Sequence, residues 1–193
     1  KEARDTKADA LCAFTYPPTS IVAVVPQSIA LGYSPKAIVL GPGGYSMALR
    51  DMVGPALNGV IGEGAWSKKT SPAAKAFWDE FVARWGEEKI DQWGHLFYWG
   101  GLSHLKQSIE KAGTLDRKVI REVMATSKFD TCLGPTWWTQ IGGGGCLLAV
   151  ECHPGEIGQW QWDAAAGKCV WEVIGPKEKA TANPIYPKPA WPK

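Results

Sequence analysis

Several chemistries lack their usual signatures in these 193 residues. No Gly-x-Ser-x-Gly elbow is present, because Gly32-Tyr33-Ser34-Pro35 lacks the second glycine, so an α/β-hydrolase nucleophile is not indicated. The glycine run Gly142–Gly145 is followed by no Lys-Ser or Lys-Thr pair, which removes a phosphate cradle. Gly41-x-Gly43-x-x-Ser46 is an imperfect dinucleotide pattern, and Pro42 does not suit a helix-opening phosphate turn. Histidine is scarce: His95 and His104 do not share a helical face at i, i+4, and His153 stands apart. The absence of such motifs favours binding over catalysis. No metal or cofactor is expected.

Long apolar runs are also missing, so no segment is suited to spanning a bilayer. The net charge is only +2 and the Lys and Arg residues are scattered, which argues against a nucleic-acid surface. No signal peptide is visible, although Lys1 is not a start methionine, so processing or truncation is compatible with the sequence.

What is present describes an ordinary globular α/β chain: 45% hydrophobic and 21% charged residues, enough for one large or two small domains. The organising stretch is Tyr33–Tyr45. Ala37–Leu40 is a short, wholly apolar run suited to a strand covered on both faces, and Gly41-Pro42-Gly43-Gly44 follows at its carboxyl end. Ligands of open α/β sheets sit there, and glycines let them approach bare backbone. A plain strand-to-helix turn is the competing reading.

In chain order, Ala10–Phe14 reads as a strand, and a helix through Ile21, Val25 and Ile29 closes at Gly32. Pro26 is a fault in that helix unless it kinks. Ser46–Val53 is a short helix and Leu57–Ile61 a third strand. The alternation implies right-handed crossovers and a parallel sheet, incomplete and with an open edge. Trp66–Ser71 is a polar connection. Ser71 and Pro72 then open a helix whose stripe runs Ala74, Phe77, Trp78, Phe81, Val82, Trp85 to Gly86. A second helix, Leu96–Ala112, turns Leu102, Leu105 and Ile109 inward, and a third spans Asp116–Thr126. Three helices without strands suggest a layer covering a sheet supplied from elsewhere. Thr136–Thr139, Leu147–Val150, Ile157–Trp162 and Val170–Ile174 predict a hairpin or meander, and beyond Pro176 the proline-rich tail is extended on the surface.

Five cysteines leave an odd thiol. Cys12 is expected to be a buried thiol within its strand. Cys146, Cys152 and Cys169 crowd the last third, so one bridge among them is expected in an oxidising compartment, its pairing open. With His153 they match no common zinc spacing.

A run of short pieces then carries a resemblance. They are Ala8-Asp9-Ala10-Leu11, Ala30–Lys36, Gly41–Gly44, Ile109–Gly113 with Asp116-Arg117, and Phe129-Asp130-Thr131 with Gly134-Pro135. Gly158–Gln161 and Pro176–Ala182 into Tyr186–Trp191 complete the series. None is specific, but in this order the chain resembles the C-terminal half of the leucine/isoleucine/valine-binding family, the type I periplasmic substrate-binding proteins of ATP-driven importers.

The resemblance implies a two-lobed α/β fold, parallel sheets flanked by helices, of which this chain is an incomplete C-terminal portion. Residues 1–64 would be the later part of the second lobe and 65–130 helices belonging to the first. Residues 131–175 would return to the second, and 176–193 form the tail. It implies an extracytoplasmic receptor (periplasmic, or lipid-anchored in a Gram-positive cell) that binds a small organic ligand between the lobes. The receptor would deliver that ligand to the importer's membrane permease, without turnover, nucleic acid or membrane insertion.

Ligand contacts would come from Tyr16, Pro17 and Thr19 after the first strand, from Gly43, Gly44 and Tyr45, and from His95 and Phe97 on the hinge side. Amino-acid binders of this family often place a carboxylate where Gly43 stands here. An unpaired desolvated ammonium is costly, so an amide, a carboxylate or an aromatic acid is as good a candidate as an amino acid. A ligand-sensing domain of a signalling protein with this fold, and a small α/β enzyme, are the alternatives.

Overall fold

The computed structural model describes residues 1–14, 18–63, 66–91, 94–141, 146–148 and 156–191. The elements in order are α1 (Glu2–Asp5), β1 (Ala10–Ala13), α2 (Pro18–Val22), α3 (Val24–Ala30), β2 (Ala37–Leu40), α4 (Met47–Val53) and β3 (Ile61–Glu63). There follow α5 (Pro72–Trp85), α6 (Gly94–Ala112) and α7 (Arg117–Thr126). Six strands follow among the described residues: β4 (Phe129–Thr131), β5 (Gly134–Thr136), β6 (Thr139–Ile141), β7 (Cys146–Leu148), β8 (Ile157–Asp163) and β9 (Lys168–Gly175).

One five-stranded sheet organises the molecule, in the order β1-β2-β3-β8-β9. β1, β2 and β3 run parallel, with Cys12 opposite Val39 and Leu40 opposite Gly62. β8 returns antiparallel to β3, and β9 pairs with β8 as a hairpin that sets Trp160 opposite Trp171. The strand-helix alternation of the first 63 residues thus makes the expected parallel half, and the hairpin is its antiparallel extension. Ile38, Leu40, Trp160 and Trp171 join Met47, Trp66, Ala74, Trp78 and Leu96 in one core. The Trp160 indole N–H donates to the carbonyl of Gly44 at 2.7 Å, tying the hairpin to the turn after β2.

Several expectations are corrected. The third strand is Ile61–Glu63, not Leu57–Ile61, because Gly54–Leu57 form a 3-10 helix, with Pro55 in its first turn, that buries Leu57 before the chain extends. The helix through Ile21 and Ile29 breaks at Ala23, which puts Pro26 in the first turn of α3, where no intrahelical N–H is needed. Cys12 is exposed rather than buried, since β1 is an edge strand with β2 as its one partner in the sheet. The expected strand Thr136–Thr139 is divided between β5 and β6, and of Leu147–Val150 the last two residues lie outside the described set.

α5 follows its sequence signals. The Ser71 hydroxyl accepts from the Ala74 N–H at 3.0 Å, Pro72 takes the first position, and Gly86 ends the helix at φ 91°. α6 does not present the face its leucines suggest. Leu96, Gly100, His104 and Ser108 are buried, a row at i+4 spacing, while Leu102 and Leu105 are exposed. Small residues win the inner face because the β4–β5 corner comes close: a Cβ on Gly100 would stand 2.7 Å from Leu133.

The tail is not merely laid on the surface. Gln159 exchanges two hydrogen bonds with the Ile185 backbone, at 2.8 and 3.0 Å. The Lys188 N–H donates to the Lys36 carbonyl at 2.8 Å, and the Trp191 indole N–H donates to the Tyr33 carbonyl at 2.6 Å. Lys188 is buried.

Candidate functional site at the carboxyl end of the parallel strands

The turn after β2 is built from hydrogen bonds its glycines permit. Gly41 donates to the Ala13 carbonyl at 2.7 Å, joining the carboxyl ends of β1 and β2, and Gly44 donates back to the Gly41 carbonyl at 3.0 Å. Gly43 takes φ 104°, a conformation disfavoured for other residues. Ser46 then precedes α4 in extended conformation. Gly43, Tyr45, Ser46, Met47 and Ala48 form one wall of a cavity of about 280 Å³, and Glu88, Ile90 and Asp91 form the other.

Tyr45 is the chemically distinctive group there. Burial pushes its phenol up to about 12, the Asp91 and Glu63 carboxylates add to the rise, and a Gly43 backbone hydrogen bond works against it. The hydroxyl is therefore a neutral hydrogen-bonding group at physiological pH. Asp91 is anchored from two sides: its carboxylate accepts from the Gly94 N–H at 3.0 Å, and its own N–H donates to His95 Nδ1 at 2.8 Å. Sequence reading missed Asp91 and Glu63. The Asp-x-x-Gly spacing ahead of α6 was the available signal for the first, as a helix cap; for the second there was none.

The predicted contact residues do not converge on one cavity. Gly43 and Tyr45 line the cavity just described. Gly44 is buried, and its carbonyl accepts from the Trp160 indole N–H. His95 stacks on Phe81, ring centroids 4.7 Å apart, and lines a separate groove between α5 and α6 with Phe77, Trp85, Tyr98, Trp99 and Leu102. Phe97 lines a third cavity beside Trp66 and Glu156. Tyr16 and Pro17 lie outside the described residues; Thr19 belongs to α2, its side chain likewise outside them.

Cys169 leaves the disulfide set. It is a buried free thiol 3.6 Å from the Gly54 carbonyl, and burial pushes its pKa up to about 11. The side chains of Cys146 and Cys152 lie outside the described residues. Among the described residues no group of three or more His, Cys, Asp or Glu could hold a metal ion, and no helix is long and apolar enough to cross a membrane.

A larger cavity of about 310 Å³ has a basic rim of Arg50, Lys68, Lys69 and Lys168. Its charges are already engaged. Lys168 and Arg50 pair with Glu87 at 2.7 and 3.4 Å, Lys69 pairs with Glu172, and Lys68 lies over the Trp78 ring.

The architecture has solved counterparts. A putative branched-chain amino acid ABC transporter protein from Silicibacter pomeroyi superposes with TM-score 0.70 at 16% identity, over 96% of this chain and 49% of its own. A leucine-binding protein from Thermotoga maritima gives 0.65 at 22% identity, over 92% of this chain and 47% of its own. A solute-binding protein of an ABC transporter from Rhodopseudomonas palustris, in complex with 3,4-dihydroxybenzoic acid, gives 0.65 at 15% identity, over 98% and 48%. This chain thus spans about half the length of the structures it matches. A family model described as periplasmic binding protein matches residues 1–149, and the chain belongs to that family.

Proposed function

We propose that this chain is the C-terminal portion of an extracytoplasmic solute receptor. The receptor binds a small organic ligand (an amino acid, an amide, or an aromatic or other carboxylic acid) between two lobes and hands it to the permease of an ABC importer. The observation that carries this reading is the cavity at the carboxyl end of β2. Its glycine turn offers bare backbone, Tyr45 offers a neutral phenol, and Asp91 approaches from the opposite wall. Asp91 and Glu63 beside Tyr45 supply negative charge that the Gly43 position itself does not, which returns a ligand ammonium to consideration.

On this reading residues 1–64 and 131–175 belong to one lobe, 65–130 to the other, and 176–193 form the tail that closes the sheet. Membership of β8 and β9 in the sheet of β1–β3 supports the first part. The aromatic face of α5 and α6 supports the second, as a surface for the other lobe to cover. Lobe closure would be a hinge motion about the connecting segments.

The decisive experiment is calorimetric titration of the purified whole receptor with amino acids, their amides and aromatic acids. Saturable binding without consumption of the compound is expected. Tyr45→Phe should weaken it about three- to tenfold, the value of one hydrogen bond. Turnover of a bound compound, or binding indifferent to Tyr45 and Asp91 substitutions, would overturn the reading.

A further inference from the structure

His104 is fully buried, midway along α6. Its ring meets Phe129 and Trp138 edge-on, at centroid distances of 5.0 and 5.7 Å. The Trp138 indole N–H donates to its Nδ1 at 3.2 Å. An indole nitrogen only donates, so Nδ1 carries no proton and the neutral ring holds its hydrogen on Nε2. That second nitrogen is buried and has no partner among the described residues.

Trp138 leads directly into β6, and β6 pairs with β7 in a two-stranded sheet apart from the five-stranded one. The indole bond therefore ties this hairpin to α6. Acid changes what Nδ1 can do. A proton added to its lone pair turns the acceptor into a donor, which then opposes the Trp138 N–H. The ring has another place for that hydrogen. Ser108 Oγ stands 3.5 Å from Nδ1, and its own hydrogen goes to the His104 carbonyl at 2.8 Å, so the oxygen can accept.

No charge on the elements packed around the ring is buried with it. Lys106, Glu110 and Lys111 on α6 are exposed, as are Arg117, Lys118, Arg121 and Glu122 on α7. Lys128 and Asp130, beside and within β4, are exposed too, and Lys128 Nζ lies over the Trp137 ring at 4.3 Å. β5, β6 and β7 contain no charged residue. Cys132 directs its Sγ to the Leu96 carbonyl at 3.5 Å. Burial is thus what acts on the imidazole, and it pushes the titration of His104 below the ordinary value of 6.5.

We propose that His104 is an acid-sensitive latch. On taking up a proton from solvent, Nδ1 exchanges Trp138 for Ser108, and the β6–β7 hairpin loses its hold on α6. The released form binds the proton more readily than the latched one, so release grows as pH falls below about 6.5.

The test is NMR of protein carrying ¹⁵N-labelled histidine and tryptophan, from about pH 8 down to about pH 5. Trp138→Phe assigns the Trp138 indole resonance by its loss. At the upper pH the His104 ring is expected with its hydrogen on Nε2 and none on Nδ1. Protection of the Trp138 indole N–H from exchange, taken relative to N-acetyltryptophanamide at each pH, should fall about tenfold per pH unit below the ordinary histidine value. In His104→Asn, whose amide oxygen can replace Nδ1 as acceptor and does not titrate, protection should be independent of pH. Ser108→Ala should displace the fall by about one pH unit toward acid, the value of one hydrogen bond. A hydrogen on Nδ1 at the upper pH, protection unaffected by acid, or an unchanged profile in either His104→Asn or Ser108→Ala overturns the proposal. Should the variants fail to fold, the tautomer and the protection profile of the unaltered protein decide alone.

Discussion

The five-stranded sheet and the α5–α6 layer differ in how completely each meets its own needs. At the middle of the sheet, Trp160 is fully buried with its N–H on Gly44, and Gln159, equally buried, holds the tail. On α5 and α6 the opposite holds. Trp85 and Trp99 are each 52% exposed, Leu102 59% and Tyr98 68%, along one aromatic groove. Scattered exposed apolar residues are ordinary, but a continuous patch of this kind marks an interaction surface. The contrast teaches that the chain specifies its sheet internally and leaves its helical layer to be completed by something else. A chain spanning about half of the structures it matches fits that division.

Substitutions can sharpen or break this comparison. The largest effect belongs to Trp160→Ala, which should cost about 3–5 kcal/mol by urea denaturation through the cavity and the orphaned Gly44 carbonyl. A cost below that of an ordinary surface change would mean the sheet is not the stable half. Next is Lys188, buried among the tail contacts and pushed down to about 8 by that burial. Its folded form releases a proton before the unfolded form does, so unfolding free energy should rise with pH from about 8 toward its ordinary value near 10.5. The rise, up to about 3 kcal/mol, should vanish in Lys188→Met. The difference between the two proteins is the measurement that counts, because the raised Cys132 and Cys169 thiols act in the opposite direction above about pH 9.

Smaller again is Gly158→Ala. A Cβ there would stand 2.1 Å from the buried Trp171 indole, and overpacking should cost about 1–3 kcal/mol. The smallest effect is expected on the other region. Tyr98→Ser with Leu102→Ser should leave the stability of this chain within about 0.5 kcal/mol, since neither side chain is buried. The same double change should reduce self-association in analytical ultracentrifugation. A large loss of stability would show that the aromatic groove serves this chain after all.

The sequence made some of this legible and hid the rest for identifiable reasons. Ser71, Pro72 and Gly86 mark α5 to the residue, because caps act locally. The apolar run Ala37–Leu40 and its glycine turn likewise declare β2 and the cavity beyond it. Leucine spacing points to the wrong face of α6, because Gly100, His104 and Ser108 are inside by close approach to the β4–β5 corner. Leu57–Ile61 misled because apolar residues suit a buried 3-10 turn as well as a strand. In the candidate site, Gly43 and Tyr45 were found by position in the motif. Asp91 was not, since it meets the site from a segment remote in the chain, which periodicity does not register.

The fastening of Tyr33 and Lys36 by Trp191 and Lys188 carries a consequence for biogenesis. Partners some 150 positions apart must meet before the sheet is finished, so synthesis has to pass Trp191 before the loop ahead of β2 can be locked. Such distant pairing slows folding, and it leaves a long interval in which the nascent molecule is still pliable.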